Sequence, residues 1–326
     1  MIFPTVRLRR LRQNAFIRDL IREHDINSHD LVAPLFFNAN LKEKKPIVSL
    51  PNHFQLSLSD LANEISHLVN LNLKAVILFG IPAYKDARGS SAVSTDGIIQ
   101  TVIAKIKALA PHLIVITDLC CCEYTDHGHC GVLNHKGDVD NDETLGLLTE
   151  QAVSHAKAGA DIIAPSGMMD GAVQVIRKAL DQAGYQQVLI LSYAVKYASC
   201  FYGPFREAAE STPAFGDRRS YQMDPANSAE ALKEAELDIA EGADMLMVKP
   251  AQNYLDIIFR LKNAFPSTPL SAYQVSGEYA MIKAAAANGW IDGEKAMLES
   301  LLAIKRAGAD FIISYFAAEF ARYVKG

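Results

Sequence analysis

Eight short apolar runs rich in β-branched and aromatic residues recur along this chain of 326 residues, at 31–37, 75–81, 113–119, 161–166, 188–194, 245–251, 270–275 and 311–316. The stretches between them, among them 60–71, 97–109, 143–157, 228–241 and 294–307, carry apolar residues at helical spacing instead. Several of these helices end in Ala-Gly-Ala-Asp or Glu-Gly-Ala-Asp, a glycine cap leading straight into the next apolar run. A strand that is apolar at nearly every position has both faces covered, as in a parallel sheet clothed by helices. Strand–helix alternation repeated eight times predicts an α/β fold, a (β/α)8 TIM barrel, over residues 27–326 as one domain. An open doubly wound sheet is the competing arrangement. Neither Gly-x-Gly-x-x-Gly nor Gly-x-x-x-x-Gly-Lys-Ser/Thr follows the early strands, so a dinucleotide or P-loop reading lacks its phosphate cradle.

A barrel of this kind gathers its chemistry at the carboxyl ends of its strands. Here the third run ends in Asp118 and a group of cysteines, the fourth in Ser166, the seventh in Ser276 and the eighth in Tyr315, while the fifth and sixth lead to Lys196 and Lys249. A lone lysine at a strand end is ordinarily a solvated surface charge. These two differ, because each closes an apolar run and the two runs are neighbours, about 4.8 Å apart. Pro250 also biases Lys249 towards an extended backbone. Two ammonium groups held that close in a partly dry cavity repel each other, so at least one pKa falls towards neutrality. A neutral amine attacks ketones and aldehydes to form a Schiff base. Two carbonyl substrates, or one carbonyl with the second lysine tuning the first, both fit the pair.

Four of the five cysteines, Cys120, Cys121, Cys122 and Cys130, fall within eleven residues directly after the third run. Cys-x-Cys followed by Gly-His-Cys-Gly lets a loop return to supply a third sulfur, and soft thiolates select zinc over magnesium or calcium. Three ligands leave one coordination position open. A disulfide, or thiols packed as small hydrophobes, are the bland alternatives, and clustered thiols suit a reducing compartment poorly in either role. Along an extended segment the side chains alternate, so Cys121 is expected to face away from Cys120 and Cys122. Three thiolates carry more negative charge than one Zn²⁺ neutralises, which favours a mild Lewis acid that positions an amine or carbonyl over one that makes a strong hydroxide.

The longest interval between strand starts separates the fifth and sixth runs, and its residues 197–222 are rich in aromatic, glycine and arginine residues. A long loop at a barrel mouth is a natural lid. Arg206, Arg218 and Arg219 are either solvated charges or, over two carbonyl sites, clamps for carboxylates. Residues 1–26 interleave six arginines with apolar residues and contain Asp19, Glu23 and Asp25, which suits neither a signal peptide nor a transit peptide; they are expected to form an arm that packs on another subunit. No run approaches the roughly 18 apolar residues of a membrane span. A formal charge of −5 with a pI near 6.0 argues against nucleic acid as the main partner, and the expected location is cytoplasmic.

The strings Asp-Leu-Cys-Cys-Cys-Glu-Tyr-Thr-Asp-His-Gly-His-Cys-Gly, Ala-Pro-Ser-Gly-Met-Met-Asp-Gly, Lys-Tyr-Ala-Ser-Cys-Phe-Tyr-Gly-Pro-Phe-Arg, Met-Val-Lys-Pro and Val-Ser-Gly-Glu together resemble the porphobilinogen synthase (5-aminolevulinate dehydratase) family over essentially the whole chain. The resemblance implies a lyase of tetrapyrrole (heme) biosynthesis that condenses two 5-aminolevulinate molecules to porphobilinogen with loss of two waters. It also implies a homo-octamer in which the arm embraces a neighbour. By the same resemblance Lys249 forms the Schiff base with the first substrate and Lys196 binds the second substrate's keto group. Ser276 and Tyr315 match groups that hold the first carboxylate, and Arg206, Arg218 and Gln222 match those that hold the second. Cys120, Cys122 and Cys130 match zinc ligands, Asp118 is a candidate proton acceptor, and Glu234 matches a regulatory magnesium position. Ser220 replaces a cysteine of some members, so no second zinc is expected with His129, and Gly167 replaces a common acidic residue. Two rival classes remain distinguishable: a class I aldolase, which needs no cysteine cluster, and a zinc-binding structural protein, whose site would be closed by four ligands.

Overall fold

The computed structural model describes residues 5–325. Ten strands follow one another as β1 (Leu31–Asn38), β2 (Lys45–Pro46), β3 (Phe54–Leu56), β4 (Ala75–Ile81), β5 (Ile114–Leu119), β6 (Ile162–Pro165), β7 (Leu189–Lys196), β8 (Met245–Lys249), β9 (Leu270–Gln274) and β10 (Phe311–Ser314). The helices are α1 (Ala15–Leu20), α2 (Leu61–Asn70), α3 (Ile98–Leu109), α4 (Asn141–Ala158), α5 (Ala172–Gln182), α6 (Gly203–Ala208), α7 (Glu230–Glu241), α8 (Leu255–Ala264), α9 (Ser276–Ala287), α10 (Gly293–Ala307) and α11 (Ala317–Lys325). Strands β1 and β4 to β10 pair in parallel in chain order, and β10 returns to β1 through Leu31↔Ile312 and Val32↔Ile313, which closes the sheet. The result is a (β/α)8 barrel. Its eight strands coincide with the eight apolar runs to within one or two residues at each end. The strands β2 and β3 were not anticipated: they form a small antiparallel ladder, and β3 lies beside the outer end of β1. Segments of two and three residues are too short to display a period.

The recurring Gly-Ala-Asp has a structural cause. Gly159, Gly242 and Gly308 adopt φ of 106°, 106° and 119° at the ends of α4, α7 and α10, where a side chain would be strained. The aspartate that follows each stitches its strand to the preceding one. Asp161 accepts from Val115 N, Asp244 from Ile190 N and Asp310 from Leu270 N, each at 2.7 Å. Lys107 and Lys262 also bond Asp161 and Asp310. These stitches lie at the amino ends of the strands, the stability face of a barrel, and leave the other face to chemistry.

Of the expected arm, residues 1–4 lie outside the described residues. The remainder forms a 3-10 turn (Leu8–Arg12) and α1, neither of which buries a residue. Phe16 and Leu20 are 86% and 84% exposed. Among the described residues no helix is long and apolar enough to cross a membrane.

Candidate active site

The carboxyl end of the barrel brings Lys249, Lys196, Asp118, Ser166 and the cysteines into one buried neighbourhood. Strand β7 carries one extra residue between Ser192 and Val195 relative to β8, and beyond that bulge Lys196 stands directly opposite Lys249. Both lysines are 5% exposed. The Lys249 ammonium position lies over four aromatic rings, 4.3 Å from the centroid of Tyr273, 5.0 Å from Tyr193, 5.1 Å from Phe205 and 5.5 Å from Tyr202. Burial, and then the neighbouring Lys196 charge, pull its pKa down to about 7, with Asp118 opposing. Lys196 is held differently: its Nζ donates to the Ser166 carbonyl at 2.5 Å. The bond from Lys249 to Pro250 is cis.

Asp118 accepts from Ser166 Oγ at 3.0 Å, and its other oxygen has no partner. Burial raises its pKa, against the pull of the Lys249 and Lys196 charges. Close by, Cys120, Cys122 and Cys130 bring their sulfurs within 4.8 Å of one another, with Cys120 and Cys122 at 3.3 Å. All five cysteines are free thiols, and Cys121 is outside the group. Hydrogen bonds from Cys120 and Cys122 hold the Cys130 thiol well below its ordinary pKa, with Arg218 and Lys196 adding to the effect against burial. Three convergent sulfurs, one of them already favoured as thiolate, fit a soft metal ion.

The lid segment folds over the cysteine loop by a main-chain contact and by the Arg218 side chain. Ala214 N donates to His127 O at 2.9 Å, and Arg218 donates to Gly128 O at 2.8 Å and Ser211 O at 2.6 Å. A Cβ on Gly128 would stand 2.5 Å from Thr212 O, so only glycine permits this approach. Three donors here lack acceptors: Arg206 Nε, Arg218 Nε and Gln222 Nε2. Burial, then the Arg218 charge, lower the Arg206 pKa. Such a set of buried unpaired donors calls for an anion. Arg219 instead is exposed and pairs with Asp224 at 3.7 Å. The ring nitrogens of His129 bond Tyr221 Oη and Phe215 O. On the opposite side, Ser276 Oγ accepts from Phe205 N at 2.9 Å, and Tyr315 Oη lies 3.3 Å from Tyr273 Oη.

Glu234 lies away from this centre, on α7, beside a cavity of about 420 Å³ that Asp170, Glu230, Asp238 and Glu241 also line. Burial, then Asp170 and Glu230, raise its pKa. No three acidic groups there come within 4.8 Å of one another among the described residues. Gly167 has room for a side chain, a Cβ there lying 3.5 Å from Cys130 O.

Sequence reasoning missed Glu123, Tyr193, Tyr273 and Glu278. Glu123 is buried with one oxygen unpartnered, the other 3.3 Å from Cys122 Sγ, and burial followed by the Asp118 charge brings its pKa to about 7. With Asp118 and Cys120 it forms a second group of close donor atoms. Its place in the cysteine string was the available signal. The tyrosines are interior strand residues, whose inward direction no local pattern reports.

A family model described as Delta-aminolevulinic acid dehydratase matches residues 5–323. A relative of that name from Synechocystis sp. is 54% identical over 99% of this chain and 100% of its own length. Another from Archaeoglobus fulgidus is 54% identical over 98% of each chain. The crystal structure of the Toxoplasma gondii dehydratase (porphobilinogen synthase), in complex with the reaction product porphobilinogen, superposes with a TM-score of 0.96 at 40% identity, covering 99% of this chain and 92% of that one. A barrel whose paired lysines and three sulfurs occupy one mouth, matched along its length by these relatives, belongs to the delta-aminolevulinic acid dehydratase family.

Proposed function

We propose that this chain condenses two molecules of 5-aminolevulinate to porphobilinogen with loss of two waters, as a hydro-lyase of tetrapyrrole (heme) biosynthesis. The observation that carries the reading is Lys249: a buried amine with its pKa brought to about 7, opposite a second lysine and beside three converging sulfurs. Such an amine is about half in its neutral, nucleophilic form at neutral pH, where an exposed lysine is almost wholly protonated. In this reading Lys249 attacks the keto carbon of the first substrate, expels its oxygen as water and holds the substrate as an imine. Ser276 and Tyr315 bind that molecule's carboxylate. Lys196 takes the second keto group, and Arg206, Arg218 and Gln222 supply their unpaired donors to the second carboxylate. Asp118, with an unpartnered oxygen near both lysines, accepts a proton.

The metal of the site is zinc in this proposal, held by Cys120, Cys122 and Cys130, because three thiolates select a soft ion. When bound, it supplies positive charge that orients an amine or polarises a carbonyl. Magnesium at Glu234 fits an ion that keeps several waters and so tolerates carboxylates too far apart for direct joint ligation. Residues 197–222 act as the lid, and residues 1–26 pack on another subunit of a homo-oligomer, an octamer, in the cytoplasm, with Phe16 and Leu20 among the exposed apolar side chains available for that contact.

The test is to incubate the protein with 5-aminolevulinate, reduce with borohydride and locate the added mass by peptide mass spectrometry. The expected adduct is on Lys249, with porphobilinogen formed in the unreduced sample. A protein that makes no porphobilinogen and carries no adduct on either lysine would overturn the proposal.

A further inference from the structure

The amine of Lys249 lies over aromatic rings and makes no hydrogen bond of its own among the described residues, so what holds it is the main chain behind it. That main chain is anchored by one carboxylate. Glu278 is fully buried, at 0% exposure, and forms no ion pair among the described residues. Its oxygens accept from Val275 N at 2.8 Å, Gln252 N at 2.7 Å and Ala251 N at 3.4 Å, and Asn253 N adds to the set. The first of these donors belongs to the turn that opens α9. The others belong to the connector that leaves β8 directly after Lys249.

We propose that Glu278 is a positioning residue for Lys249, pinning the backbone that follows the amine to the turn that carries Ser276. The proposal rests on the assignment of Lys249 and Ser276 to the same substrate. A carboxylate is the one side-chain group that accepts at both ends; an amide of the same shape turns one acceptor into a donor and sets it against an N–H. The same turn also grips the lid. Ser276 Oγ accepts from Phe205 N and donates to Phe201 O at 3.3 Å. A Cβ on Gly277 would stand 2.5 Å from Phe201 O, so the lid backbone sits directly on this glycine. Phe205 in turn supplies one of the four rings around the amine. Residues 276–278 therefore hold Lys249 from two sides, through its own backbone by Glu278 and through the Phe205 ring by Ser276.

The experiment compares wild type with Glu278→Gln and Glu278→Asp, all loaded with zinc. Three quantities are read: amide exchange in the segment following Lys249, zinc content, and the rate of borohydride trapping on Lys249 with 5-aminolevulinate across pH. The expected Glu278→Gln protein is folded and zinc-replete, exchanges faster at 251–254, and traps about tenfold to a hundredfold more slowly at pH 7, the scale of a displaced reacting group. The acid limb of its trapping profile moves to higher pH, because a loosened amine gains water and keeps its proton longer. The groups that face Lys249 are Tyr193 and Lys196 from β7, Asp118 from β5, Cys122 and Glu123 from the loop after it, Tyr202 and Phe205 from the lid and Tyr273 from β9. None is altered in these variants, so the limb reports the placement of the amine itself.

A Glu278→Gln protein with the wild-type trapping rate and limb would overturn the proposal. So would one that is merely less heat-stable but traps normally per folded molecule. If the Gln variant does not fold, the Asp variant decides by the same two readouts, since it keeps the charge but shortens the reach. Absence of a Lys249 adduct in wild type would instead mark failure of the imine assignment, and the positioning role would fall with it.

Discussion

Lys249 and Lys196 are the same residue type at paired positions of adjacent strands, yet they sit in opposite surroundings. Four aromatic rings enclose Lys249, which makes no hydrogen bond among the described residues, while Lys196 donates to the Ser166 carbonyl; the Asp118 carboxylate is within electrostatic reach of both. An amine in a dry, ring-lined pocket is stabilised as the neutral nucleophile, whereas the Lys196 amine is fixed in place by its hydrogen bond to a carbonyl. The mouth of the barrel is thus divided into an apolar half that suits imine formation and a polar half that suits charge and proton handling. Identity of residue type says little about role. The contacts of the terminal nitrogen decide it.

The division breaks most directly at Lys249. Lys249→Arg keeps a cation but removes the titrating amine, so turnover should fall below about a thousandth of wild type, the scale of losing a nucleophile or acid–base group. Porphobilinogen formation assayed on the folded variant checks this, and near-normal turnover would sink the reading. Cys122→Ser probes the polar half: it should lose its metal and its product formation yet still give the borohydride-trappable adduct on Lys249. Cys121→Ser, outside the sulfur group, should retain both metal and activity. Equal metal loss from the two proteins would show that the sulfurs are wrongly assigned.

Lys196→Gln sharpens the comparison, because the Lys196 charge is one of the causes that lower the Lys249 pKa. Product formation should drop by about 10²- to 10⁴-fold. Trapping on Lys249 should persist with its acid limb displaced to higher pH, since a repelling charge has gone; an unmoved limb would mean that burial alone sets this amine. Smaller effects belong to the lid. Arg206→Ala and Arg218→Ala should each weaken capture of the second substrate by about 1.5–3 kcal/mol, read as a raised half-saturation for product with first-substrate trapping intact. Arg218→Ala should be the worse of the two, because that side chain also ties the lid to Gly128 of the cysteine loop and braces the lid internally at Ser211.

The smallest effect concerns stability beneath the apolar half. His53 bonds the Tyr315 carbonyl at 3.0 Å, and burial pulls its pKa from 6.5 to about 4. Unfolded His53 binds a proton more readily than folded His53, so its contribution is full above pH 6.5 and is lost as pH falls towards 4. Urea unfolding at pH 7 and pH 5 should differ by about 1–2 kcal/mol less in His53→Gln than in wild type.

The strands were legible because a run apolar at nearly every position admits few solutions other than a parallel strand covered on both faces. Their carboxyl-end residues followed from that one inference, and the three sulfurs from spacing within a single loop. The proposed partners of those residues were harder to see. Tyr193 and Tyr273 read as ordinary core residues, and Glu278 reads as the capping glutamate of a helix, which it also is. Its bonds to Ala251 and Gln252 cross 27 and 26 residues of sequence, a distance over which no local pattern speaks.

By itself, then, the order of residues determined the barrel, the strand ends and the sulfur group, because each depends on periodicity or spacing within a short stretch. The sequence put the two lysines on neighbouring strands, but tertiary structure alone decided the register that sets them directly opposite each other. Without the extra residue in β7, the pairing of Ser192 with Leu246 would set Val195, not Lys196, against Lys249. Tertiary structure likewise decided which lysine is dry, which arginine donors lack acceptors and what anchors the backbone behind Lys249. Register, burial and hydrogen bonding join groups far apart in the chain, and their energies exist only once the barrel has closed.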